Sequence, residues 1–186
     1  MMTGCALPAT GQTTCWDSSG NVIPCADTGQ DGDIQAGEPL SYTDNADGTI
    51  TDNNTGLLWE KLGQDGSIHD VGNTYTWNEA FSVHVASLNS TSFAGHSDWR
   101  LPNVKELQSI LNYGTSNPAV SPAFNANCTP GCMATTCSCT AASFYWSSSS
   151  FAANPSLPWL LDFFTGGTAT PSKTTYWFMR AVRGGS

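Results

Sequence analysis

The sequence predicts an α+β domain in which two helices pack on a twisted antiparallel sheet between long irregular loops. Three observations carry this: an early hairpin pattern, two capped amphipathic helical patterns after it, and three strand-like runs near the C-terminus. A chain of 186 residues suits one domain with a short N-terminal extension. We place the extension at residues 1–40, an irregular Gly-, Thr- and Asp-rich segment packed on the domain or leading into it, and the domain at 41–186.

The hairpin runs from Thr49-Ile50-Thr51 through a turn at Asn53-Asn54-Thr55-Gly56 to Leu57-Leu58-Trp59. Thr76 and Glu79 then form a capping box, hydroxyl to one amide and carboxylate back to the other. Behind it Trp77, Ala80, Phe81, His84, Val85 and Leu88 recur at three- and four-residue spacing, which predicts a helix over 77–89 with His84 packed in the core. A second box, Asn103 with Glu106, opens a helix that buries Val104, Leu107, Ile110 and Leu111 and ends near Asn112-Tyr113-Gly114. A loop over 114–143 leads to the runs 144–147, 159–163 and 176–183.

Composition narrows the function classes. Charged residues are 11% of the chain against about 25% in an average protein, so its polarity comes from amides and hydroxyls. Six basic residues and a net charge of −9 make nucleic acid a poor partner. No apolar run is long enough to span a membrane, and the first residues show no signal-peptide pattern, although Met2-Thr3-Gly4-Cys5 matches the end of a bacterial lipobox.

Seven cysteines in an acidic, loop-rich chain point to an oxidising compartment, hence to the cell surface or beyond. Cys15 and Cys25 flank a turn and suit a local disulfide. Cys128, Cys132, Cys137 and Cys139 fit either two disulfides pinning a loop or a zinc site, although they lack paired C-x2-C knuckles. Cys5 is left over. Asp27, Asp31, Asp33 and Glu38 follow part of a calcium-loop spacing; Gly29, Pro24 and Pro39 argue against an EF-hand but leave a loop-bound structural calcium open beside plain acidic turns. No other cofactor is indicated.

Five motifs, in order, carry a family resemblance: Gly48–Asp52 leading to Thr55–Trp59, Trp77-x-x-Ala80 with Leu88-Asn89, Asp98–Pro102 with Glu106-Leu107, Tyr145–Ser148, and Arg180–Gly185. Over about residues 30–185 the chain resembles the Lcl C-terminal domain family, named for a collagen-like bacterial adhesin. That family is related to the formylglycine-generating-enzyme branch of the C-type lectin fold. The resemblance implies a C-type lectin-like architecture. The segment 144–186 further resembles the variable region of a diversity-generating retroelement target protein. The resemblance makes Tyr145, Trp146, Trp159, Phe163, Gly166 and Arg180 to Gly185 framework. Ser156, Leu157, Leu160, Asp162, Phe164, Thr165, Thr168, Thr170, Pro171, Ser172, Thr174, Thr175 and Tyr176 become the diversified, ligand-binding positions. An ordinary member with one fixed ligand is the alternative.

Strand alternation supports a contact surface. With Leu161 and Phe163 facing the core, Leu160, Asp162 and Phe164 are exposed, and the 170–176 loop adds Tyr176 among short hydroxyl side chains. Arg100 is expected as a strut on Glu106, Asp98 as a turn-former, and Arg180 and Arg183 as residues on opposite strand faces, at least one of them structural. Catalysis is not indicated. There is no nucleophile elbow, no H-E-x-x-H and no phosphate loop, His69, His84 and His96 are widely spaced, and the formylglycine-type enzymes need cysteines beyond Cys139. The expectation is a monomeric, non-enzymatic binding protein for a protein or cell-surface ligand, with a glycan-binding adhesin as alternative and a formylglycine-type enzyme third.

Overall fold

The computed structural model describes residues 7–184. Strands β1 (Cys15–Trp16) and β2 (Val22–Ile23) pair as a small hairpin, with Cys15 opposite Ile23. The Asp17 carboxylate accepts the amides of Ser19 and Asn21 and so fixes the turn. A short helix, α1 (Asp31–Ile34), follows. A backbone bond from Ala9 to Glu38 closes the segment on itself, and one from Tyr113 to Thr10 ties it to the body.

Four antiparallel strands form the next sheet in the order β3 (Tyr42–Asp44), β4 (Thr49–Asp52), β5 (Leu58–Glu60) and β9 (Val182–Arg183). The β4–β5 hairpin is the one its alternation predicts. Its turn is held by the Asp52 carboxylate, which accepts the amides of Asn54 and Thr55.

Both capping boxes are present. Thr76 opens α2 (Trp77–Glu79), which passes through a π-helical stretch, Ala80–Val85, into α3 (Ala86–Ser90) as one continuous rod. Asn103 opens α4 (Val104–Ser109), accepting the amides of Lys105 and Glu106. This helix stops earlier than its apolar spacing suggests, because Leu111 bridges Val120 and the Asn112 amide donates to Ala119, which pulls the backbone out of helical geometry.

The remaining strands, β6 (Phe144–Ser150), β7 (Pro158–Asp162) and β8 (Thr168–Ala169), make a separate three-stranded antiparallel sheet. The expectation of one twisted sheet is therefore corrected to three sheets. The cause lies in the run 176–183, which is no continuous strand. Trp177 pairs with Tyr75, Phe178 bridges Tyr145, and Val182 pairs with Trp59 and bridges Arg100. That segment spreads its bonds over separate elements, and only its last two residues, β9, add an edge strand to the four-stranded sheet.

The β6–β7 pair is buried on both faces. Tyr145 and Leu161, paired across the strands, join Trp59, Leu107, Ile110, Phe124 and Phe163 in one core. Trp146 and Leu160, the next pair, join Ala80, Val85, Leu88 and Trp99 in a second. Burying a side chain such as Leu160 contributes about 1.5–3 kcal/mol, so covering both faces is a large part of what fixes this sheet.

Candidate functional site

Between the two cores lies a polar centre built from distant parts of the chain. Glu60, at the end of β5, is fully buried. Its carboxylate has His84 Nε2 at 2.9 and 3.0 Å and His69 Nδ1 at 2.7 Å, and it accepts the Ala181 amide at 2.9 Å. On its other nitrogen His84 meets the Tyr75 hydroxyl at 3.2 Å. Beside them the buried Arg180 donates to the carbonyls of Glu60 and Cys139 and to the Thr140 hydroxyl. Burial alone would raise the Glu60 carboxyl, but the charges and hydrogen bonds of His84 and His69 outweigh it and hold it well below the usual carboxylate range. Burial, with Glu60 nearby, pushes the Tyr75 phenol up to about 12. Every acceptor position of Glu60 is occupied and His84 is buried, so the set works as a buried strut joining β5, the helical rod and the C-terminal segment.

The packed core histidine expected at residue 84 is present, but widely spaced histidines hid the fact that His69 and His84 meet on one carboxylate. A signal was available. The run Leu57-Leu58-Trp59-Glu60-Lys61-Leu62 sets two charges inside an apolar stretch, and both prove buried. Lys61 reaches the Asp44 carboxylate at 2.8 Å.

The expected contact residues are not gathered on one face. The 151–157 loop follows the Ser150–Pro158 pair at one end of the three-stranded sheet. Ser156 and Leu157 lie there, and Lys173 Nζ reaches the Pro155 carbonyl at 3.0 Å, which brings the Lys173 side chain of the 170–176 loop to the same end. Thr170 and Pro171 lead into that loop; Ser172, Thr174, Thr175 and Tyr176 are exposed in it. Tyr176 is 59% exposed. The loop is held against the helical rod, with Lys173 Nζ 3.9 Å above the Trp77 ring and the Trp77 indole donating to the Ser147 carbonyl.

Phe164 and Thr165 sit in the turn after β7, roughly 15 Å from Ser156 and Leu157 at about 3.3 Å per strand residue. Just beyond Tyr176 the chain packs Trp177 on Phe144 and bridges Phe178 to Tyr145, level with the Asp162 end of β7. Asp162 is occupied there, accepting the Phe164 amide and the Thr165 hydroxyl. Gly166 closes the turn at a φ of +82°, where a Cβ would lie 2.5 Å from the Tyr113 ring. Thr168 lines a cleft of about 240 Å³ with Trp159, Val104, Lys105 and Gln108. Leu160, expected as an exposed side chain, is 1% exposed and lies in the second core. The alternation holds for Leu161 and Phe163, which are buried, but the opposite face is not solvent, because the helical rod covers it.

Among the ionic expectations, Arg100 forks onto Glu106 at 2.6 and 2.8 Å. Asp98 pairs with Arg183 instead of acting only in its turn, while Arg180 is the buried structural arginine. The cysteines form three disulfides, Cys15–Cys25, Cys128–Cys139 and Cys132–Cys137. Asp31 accepts the Thr10 hydroxyl and Asp33 the Gly29 amide. Among the described residues, the sulfurs of Cys132, Cys137 and Cys139 lie within 4.8 Å of one another. Cys5 with its lipobox-like stretch, and Gly185, lie outside the described residues. No helix among those described is long and apolar enough to cross a membrane.

These features define a disulfide-stabilised α+β domain whose ionic centre is structural and whose loops crowd one end of a sheet buried on both faces. The chain belongs to the Lcl C-terminal domain family, which it matches over residues 48–183. The match begins at β4, so it is narrower than the 30–185 expected from motifs. Comparison with curated proteins returns no match.

Proposed function

We propose that the chain is a non-enzymatic ligand-binding module of C-type lectin-like build that meets a protein or cell-surface partner through the loop end around Tyr176. The observation behind this is the company that ring keeps. A large, mostly exposed aromatic is flanked by Ser172, Thr174 and Thr175, whose hydroxyls bond only within the loop: Ser172 to Thr174, and Thr175 to the Ser172 carbonyl. An aromatic anchor among short adaptable hydroxyls is the composition of a paratope, and none of these groups has a duty in the framework. Three disulfides favour an oxidising, extracellular or cell-surface setting.

On this reading, diversification by a retroelement supplies the specificity, acting on Ser156, Leu157 and the 170–176 loop first and on Phe164, Thr165 and Thr168 second. Sequencing codons 144–186 of the gene across a population of the source organism tests it. Substitutions at adenine-templated positions among these residues, with Arg180 to Gly185 fixed, support diversification. A uniform segment overturns it and leaves a fixed-specificity, glycan-binding adhesin as the function. Calcium at Asp27, Asp31, Asp33 and Glu38 belongs to the same proposal; a melting temperature unchanged by a chelator would remove it.

A further inference from the structure

The two disulfides of the 128–139 loop lie against one another. The Cys132 and Cys139 sulfurs, which belong to different disulfides, are 3.9 Å apart, and those of Cys132, Cys137 and Cys139 all fall within 4.8 Å of one another. Cys128 is bonded to Cys139 and completes a set of four. In a tetrahedral zinc–thiolate centre with bonds of about 2.3 Å, neighbouring sulfurs are about 3.8 Å apart. The non-bonded spacing in this loop already matches that edge.

The gathering does not rest on the disulfides alone. Ala126 and Ser138 exchange both backbone hydrogen bonds at 2.8 Å, the Cys139 amide donates to Leu62, and the Gln64 amide donates to Cys132. The Gly131 amide donates to Gln64, and the Cys137 amide to Met133. Gly63 lets the loop approach this closely, since a Cβ there would lie 2.6 Å from the Cys132 carbonyl oxygen. Cys137 and Cys139 are buried, so their thiols would face each other rather than water once reduced. Arg180 donates to the Cys139 carbonyl at 2.6 Å and places a cation beside a centre that would carry net negative charge.

We propose that Cys128, Cys132, Cys137 and Cys139 form a tetrathiolate zinc site when both disulfides are reduced. A dithiol reductant supplies two electrons and two protons to each disulfide and itself closes to a disulfide. The four resulting thiols lose four protons as Zn²⁺ enters. The loop is thereby pinned in either redox setting: by covalent bonds when oxidised, by the metal when reduced. Cys15 and Cys25, a lone pair in another segment, take no part.

The test uses the full chain, reduced with a dithiol, freed of it anaerobically and titrated with Co²⁺ and then Zn²⁺, with near-ultraviolet circular dichroism recorded alongside. Expected are one equivalent of Co²⁺, an intense thiolate-to-metal absorption band, and displacement by one equivalent of Zn²⁺. Cys137→Ser and Cys132→Ser should each lose the band, and Cys15→Ser should keep it. A folded reduced chain that binds no metal overturns the proposal, as does a band that survives Cys137→Ser or disappears in Cys15→Ser. A reduced chain that unfolds and binds nothing also overturns it, because the backbone frame is then insufficient to hold the sulfurs.

Discussion

Glu60 and Tyr176 mark two regions of the molecule with opposite organisation. The Glu60 carboxylate is met by two histidines and a backbone amide, while Arg180 beside it reaches two carbonyls and a hydroxyl, from elements more than a hundred residues apart. The hydroxyls around Tyr176 bond only to neighbours two or three residues away. The first region holds the fold together through contacts that cannot be exchanged singly. The second contributes almost nothing to the fold, which leaves its side chains free to serve recognition. Substitutions should therefore separate into two groups by stability, with little between them.

The largest effect belongs to Arg180→Met. It leaves two buried carbonyls, a hydroxyl and the neighbouring carboxylate without their cation, and breaking a buried ionic set of this kind costs about 3–5 kcal/mol. Urea unfolding should show it, with a Tm lower by roughly 10 °C. A loss under about 1 kcal/mol would mean that the centre is dispensable.

Leu160→Ala comes next, at about 3 kcal/mol, as for other buried leucines. This variant also separates the observed second core from the sequence-based placement of Leu160 on the surface. A surface residue would change stability by less than about 0.5 kcal/mol.

That contrast shows what was legible in the sequence. Local signals carried over well: both capping boxes, the hairpin at 49–60, the Cys15–Cys25 closure and the Arg100–Glu106 fork each depend on residues close in the chain. Leu160 was misplaced because period-two alternation assigns opposite faces but does not say whether the second face meets water. The unbroken run Trp159-Leu160-Leu161 was the available hint of a strand covered on both sides. The Glu60–His69–His84 centre needed three elements to meet, which no spacing encodes. The position of Tyr176 was likewise invisible, since it depends on the pairing of Trp177 with Tyr75 and of Phe178 with Tyr145.

The polar centre also sets the acid response. The folded Glu60 carboxyl lies below its ordinary value of about 4.3, so the unfolded chain takes up the proton first as pH falls. Its contribution is complete above that value and is lost progressively below it, as pH drops through the folded value. Stability measured from pH 7 to pH 3 should fall on the acid side, and Glu60→Gln should flatten that limb. An unchanged slope would show that other depressed carboxylates, such as Glu106 and Asp44, carry the response instead.

The smallest effect on stability is expected where the effect on binding is greatest. Tyr176→Ala removes an exposed ring that no framework group requires, and it should shift unfolding by less than about 0.5 kcal/mol. Phe164→Ala, 51% exposed in the turn after β7, should be similarly mild. The two differ in what they do to a partner. Once a ligand is in hand, Tyr176→Ala should weaken it by about 2 kcal/mol or more, some thirtyfold, as expected for an aromatic anchor, while Phe164→Ala should leave it nearly unchanged. The reverse pattern would move the binding face to the turn beside Tyr113. Equal losses at both would require a partner that touches the 170–176 loop and the turn after β7 together.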